Sequence, residues 1–251
     1  MTTASTAAAR VAELLRGSQR AVALTGAGVS VPSGIPDFRS PGTGLWEDVD
    51  PMAVAHIEAW RRDPDRFWSF YAQRFATLVD KRPNEAHLAL AELERRGLIR
   101  AVITQNIDRL HRMAGTRRLI EVHGSIEWSK CMSCAGKFPL DSVVEALRAE
   151  DGAPECPACI APLKPDVVLF GELLPERAMA EAEALAMAAD LMLCVGSSLE
   201  VYPAAGLPAL TRGAGGRLAL ITQGPTPYDG AADVKLDGDV VDDLRRVLAA
   251  L

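Results

Sequence analysis

Six short, almost wholly apolar runs, separated by helix-like stretches, limit the fold of this chain more than any other feature. Ala21-Val-Ala-Leu24, Ala101-Val-Ile-Thr104, Leu119-Ile-Glu-Val122, Val167-Val-Leu-Phe170, Leu191-Met-Leu-Cys-Val195 and Leu218-Ala-Leu-Ile221 lack the alternation of a strand wetted on one face. They read as strands buried on both faces, which calls for a parallel sheet with helices above and below. Helix patterns fill the gaps. Residues 84–97 open on Asn and close on Gly, the start and stop signals of a short amphipathic helix. Residues 175–189 and 240–251 repeat the theme. The expected class is therefore α/β, an open, mostly parallel, doubly wound sheet. Composition agrees, since 49% hydrophobic with only 5% aromatic residues suits close helix–sheet packing better than an aromatic-rich sandwich.

Two stretches break the alternation. Residues 40–81 read as loop followed by helix, with 66–79 amphipathic and rich in Phe, Trp and Tyr, and residues 126–164 hold four cysteines in two Cys-x-x-Cys pairs. Both stretches lie between sheet strands, so they are expected to form a smaller domain over the sheet's carboxyl edge, where doubly wound folds bind ligands. Cys131, Cys134, Cys156 and Cys159 have the spacing of a zinc ribbon, and four thiolates close a tetrahedral Zn2+ shell with no open position, so the metal would be structural. The fifth cysteine, Cys194, sits in an apolar run and reads as a small core hydrophobe.

Other features narrow the partners and the compartment. With 27 basic against 33 acidic residues the net charge is −6, which sets aside nucleic acid and anionic membrane as default partners. The first ten residues lack a cationic start leading into an apolar run, and no stretch reaches the ~20 apolar residues that span a bilayer. Together with knuckle-like rather than disulfide-like cysteines, this predicts a cytoplasmic protein that makes no use of a membrane.

Three polar constellations follow predicted strands. Thr25-Gly-Ala-Gly-Val-Ser30 runs on to Gly34-Ile-Pro-Asp-Phe-Arg39, and its glycines would let the backbone turn tightly and approach a phosphate held by the following amides. The third glycine is displaced and no acidic residue ends the next strand, which weakens a dehydrogenase reading. Thr104-Gln-Asn-Ile-Asp108 gathers amide and carboxylate groups where α/β enzymes place working residues, although Asn and Asp also cap helices. Glu121-Val-His-Gly-Ser125 ends a strand on His123, a side chain suited to taking a proton near neutrality. His56, His87 and His111 read as structural.

These pieces, in this order, resemble the sirtuin family of NAD-dependent protein-lysine deacylases. The resemblance also rests on Lys164-Pro-Asp-Val-Val-Leu-Phe-Gly-Glu172, Val195-Gly-Ser-Ser-Leu-Glu-Val-Tyr-Pro-Ala204 and Gly224-Pro-Thr-Pro-Tyr-Asp229, and it covers nearly the whole chain. It implies a Rossmann-like large domain of about residues 1–39, 83–125 and 165–251, a helical module of about 40–82 and a zinc module of about 126–164. NAD would be a consumed co-substrate and acylated-lysine proteins or peptides the partners. By family analogy the acyl oxygen attacks the anomeric carbon of the nicotinamide ribose, and His123 acts as base on a ribose hydroxyl. Asn106 and Asp108 would orient the carboxamide, Gln105 the ribose, and Phe38 would cover the reactive face. Arg39, Gly196, Ser197, Ser198 and Thr222 would lie along the rest of the dinucleotide. Gly26, Ala27, Gly28, Ser30, Asp37 and Ile107 complete the cofactor set. Val168, Phe170, Gly171, Glu172 and Val201 would line an extended peptide.

Three positions depart from commoner family forms: Ser197 for Thr, Lys164 for Arg, and Thr222 for Asn. Tyr71-Ala-Gln-Arg74 resembles the Tyr-x-x-Arg pair of the branch that removes succinyl and malonyl groups. Its two residues share a helix face, and Arg74 could pair the acyl carboxylate while Tyr71 donates a hydrogen bond. Arg39-Ser-Pro-Gly-Thr-Gly-Leu-Trp46 looks more like the deacetylase branches. The expectation is a deacylase acting on acetyl-lysine and on succinyl- or malonyl-lysine. Alternatives are deacetylation alone, ADP-ribosyl transfer, and a non-enzymatic zinc-ribbon interaction module.

Overall fold

A computed structural model describes residues 3–37, 50–149 and 152–251. Its nine described strands are β1 Ala21–Thr25, β2 Val102–Thr104, β3 Leu119–Glu121, β4 Gly124–Cys131, β5 Lys137–Pro139, β6 Leu163–Val167, β7 Leu191–Val195, β8 Arg217–Ile221 and β9 Val234–Leu236. Six of them form a sheet in the order β3-β2-β1-β7-β8-β9, every neighbour parallel. Counted within that sheet this is the 3-2-1-4-5-6 order of a dinucleotide-binding fold, with the reversal between β1 and β7.

Both faces of the sheet are covered, as continuous apolar strands demand. Ala21 and Ala23 of β1, Leu191 and Leu193 of β7, and Ala219 of β8 pack with Val11, Leu15, Leu90, Leu244 and Val247 from helices Thr3–Gly17, Glu85–Arg95 and Val240–Ala249. Val22, Leu24, Met192, Cys194 and Leu218 face the other way, onto Ala182, Ala186 and Leu207 from helices Glu176–Ala188 and Leu207–Gly213. Side chains alternate along a strand, so each run supplies both cores. Cys194 is fully buried as expected. Asn84 caps its helix by accepting from the Ala86 amide, and Gly97 follows in a left-handed conformation, φ +75°.

The run Val167-Val-Leu-Phe170 does not join this sheet, which corrects its assignment as a parallel strand. The strand there is β6, which ends at Val167 and pairs antiparallel with β4 in a three-stranded sheet, β5-β4-β6. An apolar run reports burial but not in which core, and Val167 and Leu169 are buried in the smaller one. Helix Thr3–Gly17, strands β4, β5 and β9, and the short helices Pro51–Val54 and Ile57–Arg62 had no reading in the sequence.

The smaller core joins the aromatic helix Pro64–Val79 to the cysteine-bearing sheet. Trp60, Phe67, Trp68, Tyr71 and Phe75 pack with Ile126, Cys131, Val143, Cys156 and Leu163. Two indoles converge on one carbonyl, with Trp60 Nε1 and Trp68 Nε1 donating to Leu163 O at 3.2 and 2.7 Å. Both lone pairs of that buried oxygen are thereby used. Trp68→Phe removes the shorter bond and some volume while leaving Trp60 in place. It should cost about 1–3 kcal/mol, read as a drop of several degrees in Tm at roughly 2–4 °C per kcal/mol.

Candidate functional site

The loops after β1 and β7 meet at the reversal point of the sheet, closer than side chains allow. Gly28 N–H donates to Gly196 O at 2.8 Å, and a Cβ on Gly28 would lie 2.9 Å from both Cα and O of Gly196. A Cβ on Gly196, whose φ is +60°, would lie 2.3 Å from Val29 N. Gly26 has an ordinary extended φ of −130°, but a Cβ there would meet Ser197 Cβ at 2.8 Å. The glycines thus also serve a loop–loop contact that the sequence pattern did not announce. The amides of Val29 and Ser30 donate to Gly26 O and Ala27 O in a 3-10 turn.

Beneath this contact lies a buried polar network. Ser30 Oγ donates to Asp108 Oδ2 at 2.6 Å and is within 3.3 Å of His87 Nε2 and 3.1 Å of Asn106 Nδ2. Because His87 Nδ1 accepts from Asn84 N–H, its Nε2 carries the proton, and Ser30 gives one bond and receives two, the full capacity of a hydroxyl. Asn106 Nδ2 also donates to Gly26 O at 3.0 Å. Burial pushes the Asp108 carboxyl up, opposed by the hydrogen bonds from Ser30 and Leu110 N–H. Asp108 therefore both faces the network and accepts from the first amide of the turn Leu110–Met113.

His87 and His111 are structural, but they support the site. Their rings meet edge to face at 4.9 Å. His111 Nε2 lies 2.9 Å from Thr25 Oγ1, which donates to Thr104 Oγ1 at 2.8 Å, and Thr104 Oγ1 accepts Asn106 N–H. Thr25, Thr104 and both histidines carry the motif from below, a role no local pattern announced. Burial drops His87 to about 4, and burial with the neighbouring His87 drops His111 to about 3.

His123 stands at the same edge, directly after β3. Its Nδ1 is 2.9 Å from Gln105 O, so Nδ1 donates and Nε2 keeps a lone pair. Burial lowers its pKa below the usual 6.5, partly opposed by that hydrogen bond. The backbone is held too, since His123 O accepts from Val168 N–H at 2.8 Å. Gln105 Nε2 donates to Ser197 Oγ at 3.1 Å, and Ser197 Oγ also accepts from Leu199 N–H. Thr222 is buried at the end of β8, its amide bonded to Leu236 O, while Ser198 is exposed. The edge thus offers amides, hydroxyls, a carboxylate and a neutral imidazole within one cleft edge, a donor set that fits a ribose and a carboxamide.

The segment after β6 runs alongside. Phe170 and Val201 are part-exposed, Val168 is half-buried, and Gly171 is left-handed at φ +84° with a Cβ position only 2.7 Å from the His56 ring. The Glu172 carboxylate pairs with Lys164 at 2.8 Å. Tyr71 is buried, stacked on Phe67 at 4.5 Å, in the core that also holds Leu169 and against which Ile107 packs. Ala27 is half-buried in the loop after β1, and so is Asp37. Phe38, Arg39 and the stretch to Trp46 lie outside the described residues, as does the Arg74 side chain.

The four paired cysteines converge. Their Sγ atoms all lie within 4.8 Å of one another, with Cys131–Cys159 at 3.4 Å and Cys134–Cys156 at 3.6 Å. A tetrahedron with Zn–S bonds near 2.3 Å has S···S edges of about 3.8 Å, so the donor set fits Zn2+. The cluster lies at the end of β4, and a Zn2+ held there by four thiolates would have no open position, so its role would be structural.

Comparison with known proteins agrees with this geometry. A family model described as the Sir2 family matches residues 26–203. The chain is similar to an NAD-dependent protein deacetylase of Caldivirga maquilingensis, 48% identical over 90% of this chain and 87% of the relative. It is similar in structure to a Sir2 variant solved with a deacetylated p53 peptide and 3'-O-acetyl ADP ribose, with a TM-score of 0.91 at 43% identity over 96% of both chains. A Sir2 bound to a propionylated peptide gives 0.87 at 42% identity, again over 96% of both.

Two measurements check the site's foundations. Native mass spectrometry should find one zinc per chain, and Cys156→Ser should lose the metal and lower Tm. The two buried histidines protonate near 6.5 when unfolded but only near 3 to 4 when folded. Their contribution to stability is therefore complete above pH 6.5 and lost as pH falls toward 3 to 4. Denaturant midpoints across that range should decline with acid, and less steeply in His87→Gln.

Proposed function

The chain belongs to the Sir2 family, and from that premise we propose that it is an NAD-dependent protein-lysine deacylase, releasing nicotinamide and O-acyl-ADP-ribose. One observation carries the assignment of its base: the bond from His123 Nδ1 to the carbonyl of Gln105, the residue before Asn106, leaves Nε2 unprotonated. NAD, bound as co-substrate, supplies the electrophilic ribose carbon. His123 Nε2 takes a proton from a ribose hydroxyl, and the buried, neutral state of the ring keeps it ready at pH 7. Asn106 and Asp108 orient the carboxamide, Gln105 the ribose, and Gly196, Ser197, Ser198 and Thr222 the adenosine side; Phe38 and Arg39 act on the reactive face and its neighbouring groups. Orientation of this kind is worth several kcal/mol of barrier.

Acetyl-lysine is the primary substrate on this reading, with Val168, Phe170, Gly171, Glu172 and Val201 forming the peptide side of the cleft. Acidic acyl groups are a second class. A succinyl or malonyl carboxylate cannot be buried without a partner, and Arg74 on the helix Pro64–Val79 is that partner, with Tyr71 one turn before it. The support is the i, i+3 spacing and the position of Tyr71 in the same core as Leu169.

Acetylated and succinylated peptides incubated with NAD, and products weighed by mass spectrometry, test both classes. Deacylated peptide with nicotinamide is expected, whereas ADP-ribose attached to protein would mark transfer instead, and no release of either acyl group would refute the enzyme. His123→Ala should lower kcat by about 10²–10⁴-fold with Tm unchanged. Because the folded pKa of His123 is depressed, kcat/KM should be flat near neutrality and fall with acid at a midpoint below 6.5. Arg74→Met should reduce desuccinylation about 10- to 100-fold, the worth of one charged hydrogen-bonded pair, and leave deacetylation within a few-fold.

A further inference from the structure

One buried charge has no part in the chemistry above. Lys164 is 1% exposed, yet its ammonium is fully satisfied: Nζ lies 2.8 Å from Glu172 Oε2, 2.8 Å from Val167 O and 3.2 Å from Pro165 O, three acceptors for three protons. Glu172 Oε2 in turn accepts Leu169 N–H at 2.9 Å, and Glu172 N–H returns to Leu169 O. The ion pair therefore clamps both ends of the segment from Val167 to Glu172, including the left-handed turn at Gly171. The same segment is tied outward on two sides. Val168 N–H bonds to His123 O, and Phe170 exchanges bonds with Ala55 O and Ile57 N–H.

Keeping a lysine charged in such a place is costly. Burial pulls its pKa down, and the hydrogen bond and charge of Glu172, with a smaller contribution from the charge of Asp166, oppose it. An apolar residue of similar size would often be equally stable, so stability alone gives no reason for an ion pair here. What an apolar residue cannot do is grip two carbonyls and a carboxylate at once. We propose that Lys164, acting through Glu172, is a positioning residue that sets the backbone of residues 167–171 for an acyl-peptide and holds it in register with His123. The inference rests on the deacylase reading.

The test is steady-state kinetics of the full, zinc-loaded chain on an acetylated peptide, with peptide and NAD varied separately. Lys164→Met should raise KM for the peptide at least tenfold while KM for NAD and kcat stay within about threefold, and Lys164→Arg, which restores charge and donors, should recover most of the loss. Should Lys164→Met fail to fold, Glu172→Gln, which removes the charge but keeps an acceptor for Lys164, is expected to show the same KM split in milder form. An unchanged peptide KM in the folded variants, or equal losses toward peptide and NAD, would overturn the positioning role. A wild-type chain inert toward the peptide would overturn the deacylase reading and this inference with it.

Discussion

Everything at the working edge of the sheet hangs on the contact between Gly28 and Gly196. No side chain fits on either residue, so the loops after β1 and β7 close on each other directly through backbone. Ser30, placed by the turn that begins at Gly26, then reaches Asp108 and Asn106 from the loop after β2. Three separate strand ends are welded into one polar surface. The residues that do this are small or buried, and none need touch a substrate for the arrangement to depend on them.

Most of the site's buried polar atoms are hydrogen-bonded, His111 Nδ1 being an exception. Ser30 uses both acceptor positions and its proton, Thr25 passes a bond from His111 to Thr104, and the His123 ring is oriented by a backbone carbonyl. In a low-dielectric interior such networks are strong when satisfied and costly when broken. Burial keeps all three histidines neutral near pH 7. For His87 and His111 that neutrality serves the fold, and for His123 it leaves Nε2 with a free lone pair.

The second core fixes the position of the segment that runs from Val167 to Glu172. Two tryptophans gather on Leu163 O at the start of β6, Lys164 and Glu172 clamp its far end, and backbone bonds from Ala55 and Ile57 stitch the helical segment to Phe170. The cysteine cluster, the aromatic helix and the segment beside His123 are thus one packed body.

Local chemistry made much of this legible from residues alone. Five of the six apolar runs lie in the parallel sheet, because burial on both faces leaves a continuous apolar signature. The Asn84 cap and the Gly97 stop act within one turn, and two thiol pairs carry their own geometry. What remained hidden depends on partners distant in sequence. Val167-Val-Leu-Phe170 looks like any buried strand, and only the antiparallel pairing with β4 assigns it to the small sheet. Gly26 and Gly28 look like a phosphate turn, but their need for hydrogen in place of a side chain comes from Gly196, far along the chain. His87 and His111 read as structural residues, and Lys164 stood out only as a departure from the Arg of commoner family forms. The sequence determined which groups were available and where strands and helices begin. Tertiary structure alone decided which of those groups meet, because contact between loops is set by the packing of the sheet that carries them.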